Sequence, residues 1–360
     1  MKKVFIFGYY GFHNIGDEAI LEAIVAEFQK VMPEVSLTAL SYKAAETSRR
    51  YSIEAVSRNH FVEVVRSIGR SHLVMSGGGS ILQDVTSSRS LLYYLGIIFL
   101  AKILGKKVAF YGNGFGPITR TPNRWLVKHI INQVDLLTVR DEESREVMER
   151  LGISRPIHVT ADAAFTLQIL PESEPVQLDQ VQRKVGISVR RWKNQAVYLP
   201  ILAAFADALI EKGYTVFFLP MQPPADTQVS KELMNMMKYP AIILETGDTP
   251  HKMIQVIAGM DFLIGMRLHS LIFSAIAGVP MIGLSYETKI TSFLKLVQQP
   301  CAGDVETLTY EQLTKTTDAF LVNQEEYRRK VKTHQQELKK KAAENALMIR
   351  SFLLEGEESK

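Results

Sequence analysis

The chain holds a single cysteine, Cys301. No intramolecular disulfide can form and no thiolate cluster can bind a metal, which fits a reducing cytoplasm. The eight histidines show neither H-x-x-x-H nor H-E-x-x-H spacing, so no metal site is expected. G-x-S-x-G is absent, which removes the usual serine-hydrolase elbow. Aromatic residues are not interleaved with a basic patch and the net charge is only +4, so nucleic acid is not an expected partner. Long hydrophobic runs are missing too. The most membrane-like stretch, "SLLYYLGIIFLAKILGKK", is uncharged from Ser90 through Leu100, short of the roughly 20 residues a spanning helix needs. It reads as a buried or interfacial helix. "MKKVFIFGYYG" reads as a first strand: glycine interrupts its short apolar run, and a signal peptide is not expected.

What is present is an alternation. "KVFIFG", "VSLTAL", "HLVMSGGGS" and "KKVAFYGNGFGP" read as strands separated by helical stretches such as "DEAILEAIVAEFQKVM". The pattern resumes with "VGISVR", "YTVFFLPM", "AIILE", "DFLIGM" and "VPMIGLSY". Alternating β and α with apolar strands predicts parallel sheets covered on both faces. A chain of 360 residues suits two domains of about 150 residues each. The expected division is an α/β domain over 1–175, a polar linker over 171–184, and a second α/β domain over 185–310. The charged stretch 311–360 is expected to be a long helix packing along the body and crossing back to the first domain.

In open α/β sheets ligands sit outside the carboxyl ends of the strands. Three glycine-rich loops fall there in the first half. "GYYGFHNIGDEAI" carries Gly11, Asn14, Gly16 and Asp17. Its spacing fits neither the dinucleotide nor the P-loop fingerprint. Asp17 would repel a phosphate, so a sugar is the better guest, unless Asp17 merely caps the helix. "SGGGSILQD" offers Gly77, Gly78, Gly79 and Asp84, and "YGNGFGP" offers Asn113. Each could be a tight turn by itself; together they favour a binding crevice. Arg140 ends another strand and reads equally well as a ligand-facing cation or an ion pair with Asp141 or Glu142. In the second half, "GMRLHS" puts Arg267 and His269 where a helix begins, the place for an anion. Arg267 supplies a cationic fork and His269 a group able to move a proton near neutral pH. Lys289, beyond the next strand, would reach the same rim.

"GYYGFHNIGDEAIL", "SGGGSILQDVTSSRSLLYYL", "YGNGFGP", "VRDEES" and "GMRLHSLIFSAIAGVPMIGLSYETK" together resemble the polysaccharide pyruvyl transferase family, collinearly over residues 4–290. The pattern is most similar to the bacterial cell-surface-anchoring type, which acts on a secondary cell wall polymer precursor. The resemblance implies a GT-B-like fold of two Rossmann-like domains facing a cleft. It implies transfer of the pyruvyl group of phosphoenolpyruvate to two hydroxyls of one sugar, O4 and O6, as a cyclic ketal with release of phosphate. Arg267, Leu268 and His269 would then be the donor-binding element, with Arg140 and Lys289 as further partners and His269 as the proton carrier. Asp17 and the glycine loops would hold the acceptor, a lipid-diphosphate-linked glycan containing an N-acetylhexosamine, met at the cytoplasmic membrane face. No metal or cofactor is implied beyond phosphoenolpyruvate as co-substrate. The lysine-rich C-terminal helix could lie near anionic lipids, although a solvated face is the plainer reading. Two rivals stay open: a GT-B glycosyltransferase using a nucleotide sugar, and a glycan-binding protein without catalysis.

Overall fold

The computed structural model describes residues 2–85, 87–168, 183–246 and 249–354. The expected linker, 171–184, lies outside the described residues as far as residue 182. The chain forms two compact units. One comprises Met1–Phe12, Asp17–Thr166 and Leu338–Lys360; the other comprises His13–Gly16 and Leu167–Glu337.

The first unit is a parallel sheet of β1 (Lys3–Tyr10), β2 (Ser36–Ser41), β3 (Glu54–Ser57), β4 (Leu73–Ser76) and β5 (Lys107–Phe110), in the order β3-β2-β1-β4-β5. Val4, Phe5, Ile6 and Phe7 pair with Leu37 to Leu40 on one side and with Leu73 to Ser76 on the other. All four are fully buried, which is why β1 reads as an unbroken apolar run and not as an alternation. A short parallel pair, β6 (Leu137–Val139) and β7 (Ile157–Val159), follows, bridged to the sheet through Ala109 and Leu136.

The second unit repeats the plan with β8 (Lys184–Ser188), β9 (Thr215–Phe218), β10 (Ile242–Ile243), β11 (Phe262–Gly265), β12 (Met281–Ser285) and β13 (Cys301–Asp304). Their order is β10-β9-β8-β11-β12-β13, again all parallel. In each sheet the strand order reverses once, between β1 and β4 and between β8 and β11. The loops leaving those strands flank the crevice such sheets use for ligands.

The α/β class, parallel sheets and long C-terminal helix all match expectation. Sequence reading passed over the helix Ala44–Tyr51 with β3, and the helix Thr288–Leu296 with β13. It also merged two helices, Tyr310–Val322 and Gln324–Leu354, that break at Asn323. The long helix is shared. Its start belongs to the second unit, where Gln324 Nε2 and Arg328 donate to the Asp261 carbonyl. Its end belongs to the first, where the buried Asn345 accepts from the hydroxyls of Thr138 (2.6 Å) and Thr160 (2.9 Å).

Candidate functional site

The second unit carries the densest polar chemistry at its switch point. β11 ends at Gly265, and Arg267 is the N-cap of the helix Leu268–Ile276. Its guanidinium, expected to face an anion, is engaged by a carboxylate of the same unit. Nε donates to Asp226 Oδ2 at 2.9 Å and Nη2 to Oδ1. Asp226 is completely buried and also accepts from the backbone N–H groups of Met221 and Gln222. The ion pair therefore fastens the loop after β9 to the start of the β11 helix. Lys289 is similarly engaged, its ammonium against Glu287 and 5.4 Å from the Tyr286 ring centroid. Leu268 is buried at 8% exposure and offers a ligand only its backbone. His269 is half-buried, with its ring 6.3 Å from that of Phe273.

Gly16, expected on the acceptor side, belongs with His269. A Cβ at Gly16 would sit 2.2 Å from His269 Nδ1, so only glycine lets that backbone lie against the imidazole. The same segment is anchored in this unit by Ile15 N–H to the Met221 carbonyl at 2.9 Å. Asn14 Oδ1 accepts from Gly16 N–H at 3.1 Å, a local turn that steadies the contact.

Sequence reasoning missed the residue that stands out most. Arg190 follows β8; its Nη1 donates to Tyr286 Oη at 2.9 Å, and its guanidinium carbon lies 4.7 Å from the Tyr286 ring and 5.2 Å from Trp192. Its Nε is buried and has no hydrogen-bond partner among the described residues. No described carboxylate forms an ion pair with it. The buried hydroxyl of Ser188, at the end of β8, is likewise unpartnered. The only sequence signal was position: "ISVRRW" runs off the central strand of its sheet.

The first unit's carboxyl edge is organised differently. Asp84 accepts from Thr119 N–H (2.8 Å), Thr119 Oγ1 (2.9 Å), Arg120 N–H (3.0 Å) and Asn123 Nδ2 (2.9 Å). Burial alone would raise its pKa, but these donors outweigh it and hold the carboxyl below its ordinary value. Asn113 donates to Ser76 Oγ and the Gly78 carbonyl and accepts from Tyr111 N–H. Both side chains, expected to meet substrate, are occupied in tying the glycine loops together.

Arg140 is buried, bound to Asp141 and Asp162 at 3.2 Å each and to Ser80 Oγ at 2.9 Å. Burial would lower its pKa; the two carboxylates reverse that and raise it. Gly114 gives it room, since a Cβ there would meet the guanidinium at 2.6 Å. Gly11 N–H donates to the buried Glu18 at 2.8 Å, and Glu18 also accepts from Tyr51 Oη at 2.7 Å. Gly77, Gly78 and Gly79 are themselves buried at this edge. Gly77 donates its N–H to the Phe7 carbonyl and accepts from Tyr10 Oη, and the carbonyls of Gly78 and Gly79 accept from Asn113 Nδ2 and Gly114 N–H, which leaves the N–H groups of Gly78 and Gly79 without a backbone partner among the described residues. The last two have φ of +76° and +70°, and Gly79 lies close to the Asp17 carboxylate.

The sequence profile of the polysaccharide pyruvyl transferases matches residues 14–288. The amylovoran biosynthesis protein AmsJ of Erwinia amylovora is 26% identical over 260 residues, which is 64% of this chain and 62% of that protein. Among solved structures, a putative UDP-N-acetylglucosamine 2-epimerase from Listeria monocytogenes aligns over 100% of this chain and 97% of its own, with TM-score 0.70 at 14% identity. Anabaena Alr3699/HepE in complex with UDP-glucose aligns over 100% of both chains, with TM-score 0.62 at 13% identity. At such identities the likeness establishes the fold alone.

Proposed function

Because the chain belongs to the polysaccharide pyruvyl transferase family, we propose that it transfers the pyruvyl group of phosphoenolpyruvate to two hydroxyls of one sugar. O4 and O6 of an N-acetylhexosamine in a lipid-linked cell wall glycan precursor are the acceptors in this reading, and the setting is the cytoplasmic side of the membrane. The observation that carries the donor assignment is the cationic group at the second sheet's switch point. Arg190 has no counter-ion among the described residues, while Arg267 and Lys289 are held in place by Asp226 and Glu287.

Phosphoenolpyruvate bears a phosphate and a carboxylate. Arg190 would grip one of them, since a buried guanidinium N–H without a partner is costly until an anion supplies one. The first-turn N–H groups of the helix Leu268–Ile276 would serve the other.

The chemistry balances with these groups. One sugar hydroxyl adds to C2 of phosphoenolpyruvate as the methylene carbon takes up a proton and becomes methyl. The second hydroxyl then displaces phosphate at C2, closing the ketal. Two hydroxyl protons leave, one replaced at carbon and one carried off on phosphate. His269 is the proton carrier in this scheme and Arg190 the stabiliser of developing negative charge. No cofactor is required, because the enol phosphate already carries the activation. At the first sheet's edge, Asp17 and the N–H groups of Gly78 and Gly79 would receive the sugar.

Incubation with phosphoenolpyruvate and lipid-linked glycans, followed by mass spectrometry, is the direct test. One pyruvyl ketal per acceptor with equimolar phosphate is expected. Preferential binding of a nucleoside diphosphate over phosphoenolpyruvate in titration calorimetry would overturn the reading.

A further inference from the structure

The helices Phe61–Arg70, Ser88–Ile103 and Thr121–Ile131 pack side by side over one face of the first sheet. Their outer surface is unlike the rest of the chain in two ways. It exposes large apolar side chains: Phe61 (73%), Val62 (67%), Phe99 (50%), Ile103 (65%) and Trp125 (60%). Leu92, Gly96, Phe99 and Ile103 form one helical stripe by their spacing, and all are exposed. Its charge also has nearly one sign. The three helices carry Arg66, Arg70, Arg89, Lys102, Arg124 and Lys128 against a single acid, Glu63, in a chain whose basic and acidic totals are 42 and 38. Glu63 is itself 3.2 Å from His60, and among the described residues only Lys102 of these cations is matched nearby, by Asp135 at 2.8 Å.

We propose that this three-helix face docks on an anionic lipid surface. An exposed apolar stripe rimmed by unpaired arginine and lysine is what an interfacial helix presents to headgroups and upper acyl chains. No helix among the described residues is long and apolar enough to cross a membrane, so the contact is peripheral. A protein partner would have to supply both an apolar patch and a surround of acids. An anionic bilayer supplies both everywhere on its surface. The long C-terminal helix is a poorer candidate, because Glu325, Glu326, Glu337 and Glu344 are interspersed among its lysines. The proposal rests on surface exposure and charge and stands apart from the assigned reaction.

Flotation of the full chain with vesicles measures it. The chain should float with equal parts phosphatidylglycerol and phosphatidylcholine, and not with phosphatidylcholine alone. Binding should weaken roughly tenfold on moving from low to high salt. Phe99→Glu with Ile103→Glu should abolish flotation, and Arg66→Glu with Arg70→Glu should reduce it, each with an unchanged melting temperature. Phosphate release on a water-soluble acceptor should persist in all of them. Flotation of the Phe99→Glu/Ile103→Glu protein equal to the parent's would overturn the proposal. So would a chain that ignores vesicles but forms a dimer split by Phe99→Glu, since the face would then join two copies.

Discussion

The two sheets present the same topology and opposite habits at their carboxyl edges. In the first, nearly every polar side chain is spent on its neighbours: Asp84 on Thr119, Arg120 and Asn123, Asn113 on Ser76 and Gly78, and Arg140 on Asp141 and Asp162. In the second, charge is partly held in reserve, because Arg190 has no counter-ion among the described residues while Asp226 steadies Arg267. A fully satisfied polar network fixes a backbone. A partly satisfied one keeps its remaining capacity for a ligand. The contrast teaches that a polar residue at a strand end says where a site lies but not whether that residue serves it.

That contrast can be broken by substitution. His269→Gln should slow phosphate release about 10²–10⁴-fold, the usual worth of a positioned acid–base group. Its melting temperature should stay at the parent value; a large drop would mean that His269 is part of the scaffold. Arg140→Ala should do the reverse. Removing the buried cation strands Asp162, at 3% exposure, and should cost about 3–5 kcal/mol of stability. An unfolding curve that does not move would put Arg140 on the ligand side after all. Next in size is Arg190→Gln, expected to lower kcat/KM for phosphoenolpyruvate by roughly tenfold to a hundredfold, the range for a hydrogen bond to a charged group. Arg190→Lys should recover only part of the loss because it lacks the fork. Equal rates for all three proteins would show the cation to be idle.

The smallest expected effect is on the first sheet's scaffold. Asp84→Asn should cost about 1–3 kcal/mol at neutral pH, since an amide cannot accept from all four donors. The folded-state pKa of Asp84 is depressed. Its contribution is therefore fully present above the unfolded carboxyl value, about 4, and disappears as pH falls through the lower folded value. Urea unfolding of the two proteins should converge in that acid window and diverge above it. A constant difference down to the lowest pH would assign the effect to packing.

Much of this architecture was legible from residue pattern, because long apolar strands followed by amphipathic helices leave few alternatives. Arg267 and His269 drew notice as candidates because a cation and an imidazole at a strand–helix junction are conspicuous. What sequence could not convey was partnership. Asp226 lies 41 residues from Arg267 and Asp162 lies 22 from Arg140; nothing local announces either pair. Gly16 read as a sugar-side glycine because its real neighbour, the His269 ring, is distant in the chain. Arg190 was overlooked among forty-two basic residues, since the lack of a counter-ion is a property of folded space. β3 and β13 escaped because four residues with mixed burial carry almost no period.

The shared C-terminal helix has a consequence for synthesis. The hydroxyls of Thr138 and Thr160, which also reach the Phe110 and Val139 carbonyls, share the amide of Asn345 with the carbonyl of Ala161, and a Cβ at Gly112 would come within 3.2 Å of that same amide. A ribosome delivers those threonines some two hundred residues before the asparagine they share. The unit translated first is therefore completed last. Until residues 338 to 354 emerge, the nascent chain carries an open seam beside β6 and β7, which places the final cooperative closure of that unit after translation of the entire second sheet.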